Sequence, residues 1–363
     1  MPQIQETPTE KITPIRLPSK AYAALAASEK LVPWNFTRRY PRPNDVLVEI
    51  KYCGVCHTDL HFVRNDFGMS TFPLVPGHEI VGIVKEVGDK VTKYKVGDTV
   101  GIGCLVDSCR ECENCKQDLE QYCLEGASFT YFSPDKHGDG IIPGGYSDQI
   151  VCDEDFVLKV ADHLPLEKVA PLLCAGITTY SPLRRWNVHK GQKVAVVGLG
   201  GLGHMGVKFA VAMGAEVTVL STSPSKKADA EKLGVHKFVV TKDEEQVKTV
   251  QHYFDFILDT LAADHDYNFY LAMLKTMGTM VCVGLPHSPA VIPAANLVFH
   301  GKSLAGSLIG GIAETQEMLD FCAKHNITSD IELIDIKDIE KAYERMEKSD
   351  VKYRFVIDIA TLG

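Results

Sequence analysis

Between Cys53 and Glu79 the chain reads CGVCHTDLHFVRNDFGMSTFPLVPGHE. Cys56 and His78 are transition-metal ligands by type. His57, Thr58, Asp59, His61 and Glu79 surround them with imidazole, hydroxyl and carboxylate groups. Thiolate and imidazole together suit zinc. The stretch reads as loop-rich, and it lacks a third ligand, so a site here must be completed from elsewhere. Cys174, in LLCAGITTY, is the candidate. Taken alone, a cysteine in apolar surroundings is more often a core thiol. Two Cys and one His would leave a fourth position open for water or substrate, as in a catalytic zinc site.

A second set needs no distant partner. Cys109, Cys112, Cys115 and Cys123 have the spacing C-x2-C-x2-C-x7-C. Four thiolates so spaced close a tetrahedral site with no open position, which predicts a structural zinc. An iron–sulfur cluster is the rival reading, with nothing else in the chain that suggests electron transfer. Cys104 lies outside the pattern and is expected as a small buried apolar residue, as are Cys53, Cys152, Cys282 and Cys322.

A third group of residues suits a dinucleotide. Gly198, Gly200 and Gly203 form G-x-G-x-x-G directly after the apolar run Val194–Val197 and before a helical run, Met205–Met213. The first glycine permits a tight turn, the second lets a pyrophosphate approach the backbone, and the third lets helix and strand pack closely. His204, inside this turn, is expected to shape the helix start. The next strand, Glu216–Leu220, ends in Ser221, Thr222, Ser223, Pro224, Ser225, Lys226 and Lys227, with no carboxylate before Asp229. An NAD site places a carboxylate there for the ribose hydroxyls, whereas hydroxyls and lysines suit a dianionic 2′-phosphate, so NADPH is predicted over NADH. A polar N-capped helix with solvated lysines is the plainer reading, and both can hold together.

These residues need elements to position them. Residues 1–20 hold four prolines and are expected to begin as a loose arm. From Ala21 to Gly103 the pattern is strand-like, with Val46, Val48 and Ile50 alternating and Ile80 to Val87 rich in β-branched residues. Residues 104–145 have little periodic hydrophobicity and need a local cross-link. Tyr146 to Val160 is again β-like, and Leu166 to Trp186 reads as helix and then breaks. From Lys193 strands alternate with helices, through 237–240, 254–260, the helix Tyr267–Met277, and strands at 279–285 and 302–308, which means a parallel α/β sheet. Helices at Glu314–His325 and Ile336–Ser349 precede a last strand, 353–359, expected to return to the first domain.

Length and charge limit the alternatives. The 363 residues suggest about two domains. The net charge of −9 argues against nucleic-acid and anionic-membrane partners. No run reaches the ~18 apolar residues of a membrane span, and MPQIQETPTEK shows no secretory signal. The eleven cysteines are then expected as thiols or ligands in a cytoplasmic protein.

GVCHTDLH, PGHEIVG, the four-cysteine lobe, LLCAGITTY, GLGGLGHMGVK and YRFVID fall in one order across nearly the whole chain. Together they resemble the zinc-dependent medium-chain alcohol dehydrogenases, in the cinnamyl alcohol dehydrogenase branch. The resemblance implies a GroES-like β-rich catalytic domain, residues 1–174 plus 313–363, and a Rossmann domain, residues 175–312, with the active site in the cleft between them. It implies that Cys56, His78 and Cys174 hold a catalytic zinc, that Glu79 can ligate it when no substrate is bound, and that Asp59 orients His78. Thr58 and His61 match a proton relay. His57, Thr178, Gly198, Gly200, Gly201, Leu202, Gly203, Ser221, Thr222, Ser223, Lys226, Lys227, Gly284, Leu285, Ser307, Ile309 and Arg354 match cofactor contacts. Edge pairing near Lys302–Leu308 implies a homodimer.

The implied cofactors are two zincs per chain and NADP(H), and the implied chemistry is hydride transfer between nicotinamide and an aldehyde or primary alcohol. Phe129, Tyr131 and Phe132, with Leu308 and Ile309, are expected to line an apolar substrate pocket. After Cys123 the chain reads LEGASFTYFSPDKHGDG, without the Trp expected in the plant lignin enzymes, which points to a broad-range aldehyde reductase. Two alternatives stand beside this. One is an NADPH-binding structural protein of the same fold without turnover. The other is an NAD-dependent secondary-alcohol or polyol dehydrogenase, which would want a carboxylate near position 221.

Overall fold

The computed structural model describes residues 16–138 and 140–363. Among these, two large sheets organise the chain. The first runs in the order Ile331–Asp335, Arg354–Asp358, Asp45–Val55, Ile80–Val87, Thr99–Ile102, Leu158–Lys159, with Gln149–Asp153 also paired to Asp45–Val55. The alternation of Val46, Val48 and Ile50 is buried on this sheet. The returning tail strand is present: Phe355 to Asp358 pair antiparallel with Val55 to Tyr52. The strand Ile331–Asp335, parallel to it, has no counterpart in the sequence reading.

The second sheet is six-stranded and parallel, in the order Lys237–Val240, Glu216–Ser221, Lys193–Val197, Phe254–Asp259, Leu274–Cys282, Ser303–Gly306. Strand order reverses between Lys193–Val197 and Phe254–Asp259, and ligands of such sheets bind at that reversal. Val194 to Val197 are fully buried, as a strand covered on both faces requires.

Several boundaries differ from expectation. Residues 1–15 of the expected loose arm lie outside the described residues, and 16–20 belong to the strand Arg16–Ala23, which pairs with Val32–Arg39. The expected helix Tyr267–Met277 stops at Met273, because Leu274 already enters its strand. The stretch after Cys56 is a helix, His57–Arg64, rather than a loop. Asp59 accepts the N–H of Cys56 at 2.9 Å and caps its start. Asn65, with φ 61°, ends it in the left-handed conformation. No helix among the described residues is long and apolar enough to cross a membrane.

Candidate active site

Cys56 stands at the end of strand Asp45–Val55 as the N-cap of helix His57–Arg64. His78 and Glu79 immediately precede strand Ile80–Val87. Cys174 sits at the break between a 3-10 turn, Ala170–Leu173, and helix Ala175–Arg185, with φ −129° and ψ −70°. These four residues, far apart in sequence, bring their ligand atoms within 4.8 Å of one another.

The site is electrostatically loaded. His78 Nδ1 lies 3.1 Å from Asp59 Oδ1, and Asp59 also accepts the N–H groups of Cys56 and Gly77 and the hydroxyl of Tyr146. A carboxylate can only accept, so Nδ1 carries the proton and Nε2 is left as the ligand atom. Burial disfavours a charged His78, yet Asp59 together with Cys104 and Cys56 outweighs it and holds the imidazole well above its usual range. The Cys56 thiol is held well below its usual range, first by the hydrogen bond from Cys174 and then by Arg354 and His78. Burial lifts the Glu79 carboxyl to about 7, against the opposing charge of Arg354.

Glu79 is the informative residue. Its Oε1 is bound by Arg354, while its Oε2 is fully buried with no partner. A Cβ on Gly54 would stand 1.9 Å from that Oε2, so only glycine admits the carboxylate. An orphaned buried carboxylate oxygen beside two thiols and an imidazole costs free energy unless a cation meets it. The donor set therefore fits zinc. Cys104, expected as a small buried apolar residue, is instead half-buried, and the neighbouring Cys174 thiol holds the Cys104 thiol below its usual range. Its position follows from strand Thr99–Ile102, which delivers it beside Leu173, and no spacing rule could have found it. Cys53, Cys152 and Cys322 are buried as expected, and Cys282 is half-buried.

Thr58 Oγ1 lies 3.5 Å from Cys56 Sγ. His61, on the same helix face, has Nδ1 2.7 Å from Asp66. Phe62, which the sequence reading did not single out, stacks on Phe132 with ring centroids 4.1 Å apart. Phe132 in turn stacks on Phe129, while Tyr131 is buried and lies 5.6 Å from the His78 ring. Four aromatic rings, Phe62, Phe129, Tyr131 and Phe132, therefore form one cluster that meets His78 through Tyr131.

The glycine turn faces the same cleft. Gly198 has φ +86°, which favours glycine. A Cβ on Gly203 would meet the Gly198 carbonyl at 2.2 Å, whereas one on Gly200 would meet nothing within 4 Å. The second glycine thus leaves an open cradle that a ligand's phosphates can enter. A cavity of about 330 Å³ opens there, lined by Gly200, Gly201, Lys226, His57 and Arg354. Ser225, one of the hydroxyls read with the 2′-phosphate, also lines it, as does Lys352, which was not predicted. Lys226 donates to the Leu199 carbonyl at 3.0 Å, while Lys227 points away, 3.9 Å from Glu231. Ser221 is buried at the end of its strand, and Thr222 is exposed beyond it. Leu202 opens the helix Gly201–Ala212, and Thr178 is buried one turn beyond Cys174, donating its N–H to the Cys174 carbonyl at 2.9 Å. Gly284 packs against the Leu261 carbonyl, Leu285 is exposed, and Ser307 donates its N–H to Cys282 at 3.2 Å. His204 is buried and neutral, driven down to about 3 by burial, and bridges Gly200 to Ser329.

Cys109, Cys112, Cys115 and Cys123 also gather their sulfurs within 4.8 Å. Backbone N–H groups of Cys112 and Cys123's neighbour Cys109 point at sulfur, at 3.3 and 3.5 Å, as thiolates at a metal require.

Comparison with known proteins agrees with this geometry. The alcohol dehydrogenase GroES-like domain family matches residues 42–162, and the zinc-binding dehydrogenase family matches residues 201–324. NADP-dependent alcohol dehydrogenase C of Mycobacterium bovis is 54% identical over 342 residues, 94% of this chain and 99% of that protein. Aldehyde reductase YahK of Escherichia coli is 52% identical over 94% of this chain and 99% of its own length. A solved cinnamyl alcohol dehydrogenase of Sorghum bicolor superposes with a TM-score of 0.92, at 46% identity, covering 94% of this chain and 98% of that one. The chain belongs to the zinc-dependent medium-chain alcohol dehydrogenases, in their cinnamyl alcohol dehydrogenase branch.

Proposed function

We propose that this chain transfers a hydride between NADPH and an aldehyde, running in cells toward the primary alcohol. The substrate class is aromatic, allylic or medium-chain aliphatic aldehydes. The observation that carries this is the meeting of Cys56, His78, Glu79 and Cys174 within 4.8 Å, in the cleft that the open glycine turn also faces. When bound, zinc supplies a Lewis acid and the nicotinamide supplies the hydride. Everything else is done by the chain.

Cys56, His78 and Cys174 would hold the zinc, and Cys109, Cys112, Cys115 and Cys123 the second, structural one. Asp59 fixes the His78 tautomer. Glu79 stands as a reserve ligand, kept in place by Arg354. Thr58, beside Cys56, passes a proton outward, and His61 receives it at Nε2 because Asp66 occupies its Nδ1. Gly198, Gly200 and Gly203 shape the pyrophosphate cradle, and Ser221, Thr222 and Ser223, with Lys226 on the cavity wall, suit a 2′-phosphate. Phe129, Tyr131 and Phe132 form an apolar flank for the aldehyde.

The catalytic lobe is residues 1–174 plus 313–363 and the cofactor lobe residues 175–312. The return of Arg354–Asp358 to the first sheet, and the six parallel strands lying between Lys193 and Gly306, support that division. Two copies would pair through strand Ser303–Gly306, which has a partner on one side of its sheet. A cytoplasmic location suits eleven cysteines that are all free.

The test is Cys56→Ser and His78→Ala, assayed by NADPH oxidation with an aromatic aldehyde. Losing the Lewis acid removes several kcal/mol of charge stabilisation, so turnover drops about a thousandfold or more. NADPH binding, read by fluorescence, is retained. Native turnover in a zinc-free Cys56→Ser variant would overturn the mechanism. No oxidation by the native protein with any aldehyde would favour the structural alternative.

A further inference from the structure

The four-cysteine lobe does more than close on itself. Between Cys115 and Cys123 it carries Glu120 and Tyr122, and both reach the connection between strand Ser303–Gly306 and helix Ile312–His325. The N–H of Leu308 donates to Tyr122 Oη at 3.0 Å. The N–H of Ile312 donates to Glu120 Oε2 at 3.1 Å, across 192 positions of sequence. Gly311 lies so close to the lobe that a Cβ there would stand 2.0 Å from the Asp118 carbonyl oxygen.

Helix Ile312–His325 needs this outside help. Its N-cap is Gly311, which has no side chain to satisfy the first N–H groups. Glu120 supplies the acceptor and places negative charge at the helix start.

Between the two anchors sits Ile309, with φ +37°. A β-branched residue avoids the left-handed region, and such a conformation persists only where its surroundings hold it. Ile309 is buried, and it lines a small cavity together with Ile177, Leu173 and Cys104. The Cys104 thiol donates to the carbonyl of Leu173, the residue before Cys174, at 3.7 Å. The strained residue therefore shares a cavity with Leu173 and Cys104, and Leu173 directly precedes the metal-ligand candidate Cys174.

We propose that Tyr122 and Glu120 are positioning residues that clamp the 307–312 connection, hold Ile309 left-handed, and thereby fix the wall against which the aldehyde's carbonyl end is seated. This rests on the active-site reading above. It gives the four-cysteine lobe a part in the reaction's geometry as well as in stability.

The experiment uses the purified holoenzyme and steady-state kinetics with NADPH and an aromatic aldehyde, alongside thermal melts. Tyr122→Phe keeps the ring and removes the acceptor, and Glu120→Ala removes the cap. Each lowers kcat/KM for the aldehyde about five- to tenfold, the worth of one well-placed hydrogen bond. The KM values for NADPH and for the aldehyde rise together, because Ser307 and Ile309 of the same connection are matched as cofactor contacts. Glu120→Gln, which keeps a carbonyl acceptor, stays within about twofold of native. The decisive arm is Ile309→Gly, because glycine takes the left-handed conformation without a clamp. In that background Tyr122→Phe costs less than about twofold.

An equal loss from Tyr122→Phe in both backgrounds would overturn the clamp, as would no loss in either. The loss of activity in Glu120→Gln to the level of Glu120→Ala would count against it too. Failure of the active-site reading looks different: Cys56→Ser would then keep turnover, whatever the clamp variants do.

Discussion

Lys226 is half-buried, with its ammonium donating to the Leu199 carbonyl just above the glycine turn. Burial holds that ammonium below its usual range, so a dianionic phosphate arriving there restores a counter-charge. A charge-assisted hydrogen bond is worth about 1.5–3 kcal/mol. Lys226→Ala is therefore expected to lower kcat/KM for NADPH about tenfold or more and to leave NADH almost unchanged, as read from paired cofactor titrations. Lys227, turned toward Glu231, should not share this effect. The sequence could not separate the two lysines, because both follow the same strand and only the turn at Pro224 decides which one faces inward. It did point to Cys56, His78, Glu79 and Cys174, whose ligand atoms cluster, because thiol and imidazole in family order have few other uses. Cys104 and Phe62 stayed hidden, since their importance comes from contacts made by distant strands and rings.

At the scale of elements, the strand–turn–helix Lys193–Ala212 was legible because its glycines do separate jobs. Gly200 faces open space with φ −127°, so Gly200→Ala should fold normally and raise the KM for NADPH about tenfold by crowding the phosphates. Gly203→Ala would drive a Cβ into the Gly198 carbonyl, and overpacking of that kind costs about 1–3 kcal/mol or more. Its melting temperature should fall along with cofactor binding. Equal melting temperatures for the two variants would contradict this division of labour. The helix His57–Arg64 escaped sequence reading because its eight residues give barely two turns of periodicity, and its cap is Cys56 with Asp59 rather than a Ser or Thr. Without that helix, Thr58 and His61 would not share a face.

At the scale of the whole molecule, one edge is conspicuous. Strand Ser303–Gly306 ends its sheet, and Met277, Val291, Val298 and Phe299 nearby are each more than 70% exposed. An unpaired edge beside exposed apolar side chains suits the proposed pairing of two copies. The native protein should sediment as a dimer at micromolar concentration, and Phe299→Asp should shift it toward monomer. A native monomer under those conditions would refute the pairing. The parallel sheet was legible as alternating strands and helices, whereas the added strand Ile331–Asp335 was not, since its half-buried residues carry no strong period.

The return of the tail also sets an order in time. Glu79 and its guanidinium partner on Arg354 stand 275 positions apart. A chain made at about 5–20 residues per second leaves Glu79 waiting roughly 15 to 55 s for that partner. All six parallel strands have been synthesised by then, so the cofactor lobe can form on the ribosome while the metal-binding lobe still lacks the strand that completes it. A chain cut before Arg354 would keep every metal ligand and still leave Glu79 without its guanidinium partner.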